Sequence, residues 1–152
     1  MFNDFEEFEK VLVSNRDSGD VTCRMKDINQ VGRVVEVKEQ FLQEVGLNSD
    51  RIKGRWKEVD RKTAGRILEY ILSVDMAYDI KLKSKPLADQ LGRYFLNQFH
   101  FDAKYYTNGD FEEKTGFLRI RGWIPVTAST FDTGVVVMDE DRIGILWTED
   151  DD

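Results

Sequence analysis

His100-Phe-Asp102 sets the chain's single histidine two residues from a carboxylate, the spacing that puts both side chains on one face of a strand. An imidazole beside a carboxylate can relay a proton or contribute to a metal shell. A metal centre, however, needs three or four convergent ligands. Beyond His100 the sequence offers one cysteine, Cys23, with no Cys-x-x-Cys partner and no neighbouring histidine. No metal and no cofactor is expected, and Cys23 reads as an inert thiol. A small enzyme acting on a phosphate-containing substrate would draw on His100, Asp102, Asp132 and the arginines. That enzyme is one alternative reading, and no catalytic residue is assigned.

Asp132-Thr-Gly134 resembles the aspartic-protease signature over three residues, a motif whose paired carboxylates share a proton and activate water. That family wants an apolar pair before the aspartate and a small or hydroxyl residue after the glycine. Thr130 and Val135 occupy two of those places, so the motif is read as turn chemistry between strands.

Recognition chemistry is more prominent. In Phe117–Val126, FLRIRGWIPV, strand alternation puts Leu118, Ile120, Ile124 and Val126 on a core face. Phe117, Arg119, Arg121 and Trp123 then share the other face, with the aromatic and arginine content of binding hot spots. Asp139-Glu140-Asp141 and the tail Glu149–Asp152 are acidic, and Trp147 stands just before the tail. These groups form the expected partner-binding set, with the acids steering a basic partner and the tryptophans anchoring it. Asn48–Lys62 is the one basic cluster, and Lys53, Arg55, Trp56 and Lys57 interleave cations with an aromatic as single-strand binders do. This supports a second alternative, nucleic-acid binding through residues 49–66.

Charge argues against that alternative. The net charge of −7 divides into −4 over residues 1–48, +4 over 49–66, zero over 67–100 and −7 over 101–152. An acidic body repels phosphate and favours basic partners. With 152 residues, ten Phe, five Tyr and three Trp, the chain can bury a core without disulfides or metal. One domain over 1–152 is expected, with a short acidic tail at 149–152. No apolar run approaches membrane-spanning length, and the opening MFNDFEEFEK has no secretory pattern. A cytoplasmic location follows as an expectation.

Elements must position these groups. Asn3 and Glu6 have capping-box spacing and predict a helix over about 4–13. Val21–Met25 suits a short strand. The stripe Ile28, Val31, Val35, Leu42 and Val45, stopped by Gly46, predicts a helix over 28–45, although Val34–Val37 argues for a strand. Asp60 caps a helix burying Ala64, Ile67, Leu68, Ile71 and Leu72, and Ser84-Lys-Pro86 opens another reaching Phe99. Strands are predicted at 101–107, 115–126, 133–138 and 143–148, with turns at Asn108-Gly109 and Asp139–Arg142. The fold class is α+β, with N-terminal helices packed on one face of a C-terminal antiparallel sheet of about four strands. The function expected is a non-enzymatic acidic protein-binding module, of the inhibitor or immunity type, that blocks a basic-surfaced toxin or nucleic-acid-processing enzyme. A homodimer through a sheet edge or an exposed sheet face is a further expectation.

Overall fold

The structure is a computed structural model that describes residues 2–28 and 34–152. Four helices, α1 (Phe5–Asn15), α2 (Val34–Glu44), α3 (Arg61–Ile71) and α4 (Ala88–Leu96), accompany nine strands among these residues. The strands are β1 (Asp20–Asp27), β2 (Lys57–Val59), β3 (Val74–Asp75), β4 (Ile80–Lys81), β5 (Lys104–Thr107), β6 (Gly109–Lys114), β7 (Phe117–Trp123), β8 (Phe131–Met138) and β9 (Arg142–Asp150). The fold is α+β, its helices N-terminal and its main sheet mostly C-terminal.

Local chemistry sets the helix starts. Asp60 accepts the Thr63 amide at 2.7 Å and caps α3, whose apolar stripe Ala64, Ile67, Leu68 and Ile71 is buried. At α1 the cap lies one residue later than Asn3 and Glu6 would place it. Asp4 accepts the Glu7 amide, and the Glu7 carboxylate accepts the Asn3 amide. α2 is helical through Val34–Val37 despite their strand propensity, because burying Phe41 and Leu42 against the sheet outweighs it. Residues 29–33 of the predicted 28–45 helix lie outside the described residues.

The main sheet has five antiparallel strands in the order β1-β9-β8-β5-β2. Its two faces are read off β8. Val135 and Val137 pack with α1, α3 and α4, while Val136 and Met138 pack with α2 and with Leu47, Ile52 and Trp56 of the following segment. Three helices thus cover one face, and α2 covers the second. With both faces closed, β8 reads as a continuous apolar run, VVVM, rather than an alternating one.

β6 and β7 form a separate hairpin joined by Thr115 and Gly116, both at positive φ, 46° and 87°. Such two-residue mirror-image turns match strand twist. The turn therefore lies seven residues beyond Asn108-Gly109, where β5 instead bends into β6. Asn108 fixes that bend, its amide nitrogen donating to the Ile124 and Asp132 carbonyls at 3.0 and 2.9 Å.

Candidate functional site

At one end of the sheet the junction between α4 and β5 meets the turn between β8 and β9. Asp139 is buried and holds both. One carboxylate oxygen accepts the Asp141 and Arg142 amides at 2.8 Å each, and the other accepts the His100 amide at 2.8 Å. His100 Nε2 lies 2.8 Å from the Asp141 carboxylate. This bond, with Asp139 and Asp102 nearby, holds the imidazole above its ordinary pKa.

The tie between the two segments presents Phe101, which is 91% exposed. Asp102, Glu140 and Asp141 are exposed around the same junction, and Asp27 at the end of β1 is exposed too, in contact with Arg142 at 3.4 Å. The acidic residues around this ring give the end of the sheet a defined electrostatic character. The strand predicted over 101–107 would begin at Phe101. β5 starts instead at Lys104 because the chain turns at 101–102, with the Ala103 amide donating to the His100 carbonyl. Its position between His100 and Asp102, five residues past the end of α4, is the available signal.

His100 Nε2 and one carboxylate oxygen each from Asp139 and Asp141 lie within 4.8 Å of one another. Three donors, two of them on exposed residues and the third already holding three amides, make a hydrogen-bonded turn rather than a coordination shell.

The remaining expected partner-binding residues are spread out. Phe117, Arg119 and Arg121 are exposed on β7, beyond the opposite end of β8. Trp123 does not continue their face. The β6–β7 register shifts between Asp110 and Phe111, leaving Arg121 as an extra residue on the bulged strand. Trp123 consequently joins the cluster containing Leu118 and Ile120, where it stacks on Phe131 with ring centroids 4.9 Å apart. Trp147 is 1% exposed and belongs to the core under α2. Its indole N–H donates to Asp132 at 3.2 Å. Glu149 and Asp150 complete β9, so only Asp151 and Asp152 lie beyond the last strand.

The basic segment also divides. Trp56 packs edge-on against Trp147 at 6.1 Å and lies beneath the Lys38 ammonium, 5.1 Å from its ring centroid. Lys57 pairs with Asp110. Arg61 bonds the Leu96 carbonyl, Asn97 and Tyr105. Arg51, Lys53 and Arg55 remain exposed.

Asp132, Thr133 and Gly134 lie inside β8 rather than in a turn, and packing accounts for each residue type. Asp132 accepts from the Val126 and Thr127 amides, the Thr127 hydroxyl, the Asn108 amide group and the Trp147 indole. Burial raises its pKa against these donors. The Thr133 hydroxyl donates to Asn108 at 2.7 Å. Gly134 pairs with Trp147, where a Cβ would stand 2.1 Å from the Leu146 carbonyl oxygen. Asp132 is fully buried and separated from His100 and Asp139 by the length of β8, roughly 23 Å at the rise of an extended chain. The enzyme alternative's residues therefore do not converge. No family model, curated protein or solved structure matches this chain.

Proposed function

We propose that this chain is a non-enzymatic protein-binding module whose acidic sheet end docks on a basic surface of its partner. The observation supporting this most is the open Phe101 ring among Asp102, Glu140, Asp141 and Asp27, held in place through Asp139. Binding energy concentrates in a few buried aromatic anchors, while surrounding charges set encounter rate and register. In its narrower form the partner is a toxin or nucleic-acid-processing enzyme, and the module is an inhibitor or immunity-type protein acting in the cytoplasm. Proteins that grip phosphate backbones carry cationic surfaces, which a carboxylate-rimmed aromatic complements. No helix among the described residues is long and apolar enough to cross a membrane.

The test is affinity capture from the native host's lysate with nuclease treatment, followed by kinetics on the retained protein. One basic protein retained stoichiometrically by the wild type is expected. Phe101→Ala should weaken it by ~2 kcal/mol or more, mainly through faster dissociation. Neutralising Asp102, Glu140 and Asp141 together should mainly slow association and flatten its salt dependence. Equal retention by all variants, or nuclease-sensitive material alone, would overturn the proposal.

A further inference from the structure

β7 carries an open strand edge. Among the described residues it pairs with β6 alone. Its other edge faces the β3–β4 hairpin across a groove of about 340 Å³. The two-residue turn makes Lys114 and Phe117 a hydrogen-bonded pair, so the amide and carbonyl of Ile120 turn away from β6, toward the side on which Tyr70 forms the groove wall. Alternate residues of an antiparallel strand turn the same way, which sends the Leu118 amide and carbonyl into the groove as well. Natural edges are blunted by bulges, charges or cover. The bulge at Arg121 ends the regular stretch and leaves Phe117–Ile120 extended.

The side chains around this edge state what it suits. Phe117, which lines the groove, is 53% exposed. Lys81 and Lys85 line the groove beside Glu69 and Asp79, and Arg119 and Arg121 project from β7. A second copy pairing antiparallel along β7 would bring the arginines of both chains together, and like charges across a strand pair are destabilising. That disfavours the homodimer and favours carboxylates.

We propose that the β7 edge receives an extended segment of a partner protein in which acidic and apolar residues alternate. The segment adds as a strand, its carboxylates beside Arg119 and Arg121 and its apolar side chains over Leu118 and Tyr70. This surface is distinct from the acidic end and stands independently of the function proposed above.

The probe is a fluorescein-labelled octapeptide of alternating glutamate and valine, titrated by anisotropy at physiological salt. Three comparisons accompany it: its lysine–valine counterpart, the glutamate–valine peptide N-methylated at alternate amides, and the doubly reversed Arg119→Glu/Arg121→Glu protein. Both changes are at exposed positions, and an unchanged thermal midpoint verifies that the variant folds. Saturable binding of the glutamate–valine peptide with slowed hydrogen exchange at Leu118 is expected. N-methylation, lysine replacement and charge reversal should each weaken it at least about tenfold, and the reversed protein should prefer the lysine peptide. The proposal is overturned by absence of saturable binding, by undiminished binding after N-methylation or charge reversal, or by self-association of the wild type that protects this edge.

Discussion

Arg16 and Asp150 form a bidentate ion pair with neither side chain exposed, Nη1 to Oδ1 and Nη2 to Oδ2 both at 2.8 Å. Arg16 Nε also donates to the Ile71 carbonyl, and Asp150 accepts the Met76 amide. One pair thus joins the end of α1, the end of α3, the β3–β4 hairpin and the last residue of β9. Removing one partner of such a pair strands the other charge in the core. Asp150→Ala should cost about 3–5 kcal/mol of unfolding free energy, read by chemical denaturation. The double replacement Arg16→Met/Asp150→Leu should recover much of that loss. A cost below ~1 kcal/mol for the single change would show that the pair is solvated in solution.

Cys23 lies on β1 in the core, and burial together with the nearby Glu9 carboxylate raises its thiol pKa. The thiolate is the reactive form. Native protein should therefore leave an aromatic disulfide reagent unreacted, and one thiol should appear only on unfolding. Rapid native labelling would mean that β1 opens from β9 well below the global stability.

What was legible in the sequence follows the range of the forces involved. Asp60, its cap and the stripe behind it lie within one α3 turn or a few, and they were readable. The alternation of β7 was readable as far as Ile120. Beyond it the bulge at Arg121 depends on pairing with β6 and redirects Trp123. Trp147 shares strand parity with Ile143 and Ile145, which points to the core, whereas its nearness to the acidic tail in sequence points to the surface. Asp139 announced a turn by its type, but its bond to the His100 amide spans 39 residues, and that bond presents Phe101. No local pattern tells that α2 closes the second face, because that depends on where the sheet lies.

Lys38 on α2 is 3% exposed, with its ammonium 3.6 Å from the Tyr106 ring centroid. Burial pulls its pKa down to about 8, against the favourable charges of Glu39 and Glu58. Between that value and the unfolded value near 10.4 the unfolded chain binds more protons, so stability rises with pH across this window. The rise should be on the order of 2–3 kcal/mol and absent in Lys38→Met. That variant should equal or exceed the wild type in thermal midpoint at pH 7, because the neutral side chain escapes desolvation. A large drop in its midpoint would assign net stabilisation to the cation–π contacts.

His100 reports on the acidic end directly. The bond to Asp141 raises its pKa above the ordinary value near 6.5. A group raised on folding stabilises fully below its unfolded pKa, and that contribution is lost as pH rises through the folded value. Ring-proton NMR should place the titration midpoint above 6.5, and Asp141→Asn should lower it. A midpoint at or below 6.5, or one indifferent to Asp141→Asn, would remove the imidazole–Asp141 bond and leave Asp139 alone to tie the two segments that present Phe101. Partner binding should follow the opposite trend. Losing the imidazolium leaves Asp102, Glu140 and Asp141 less compensated, so association with a basic surface should quicken over the same pH range in which the His100 contribution to stability declines. Stopped-flow association rates across that range would show whether both trends turn at the NMR midpoint, as one shared proton requires.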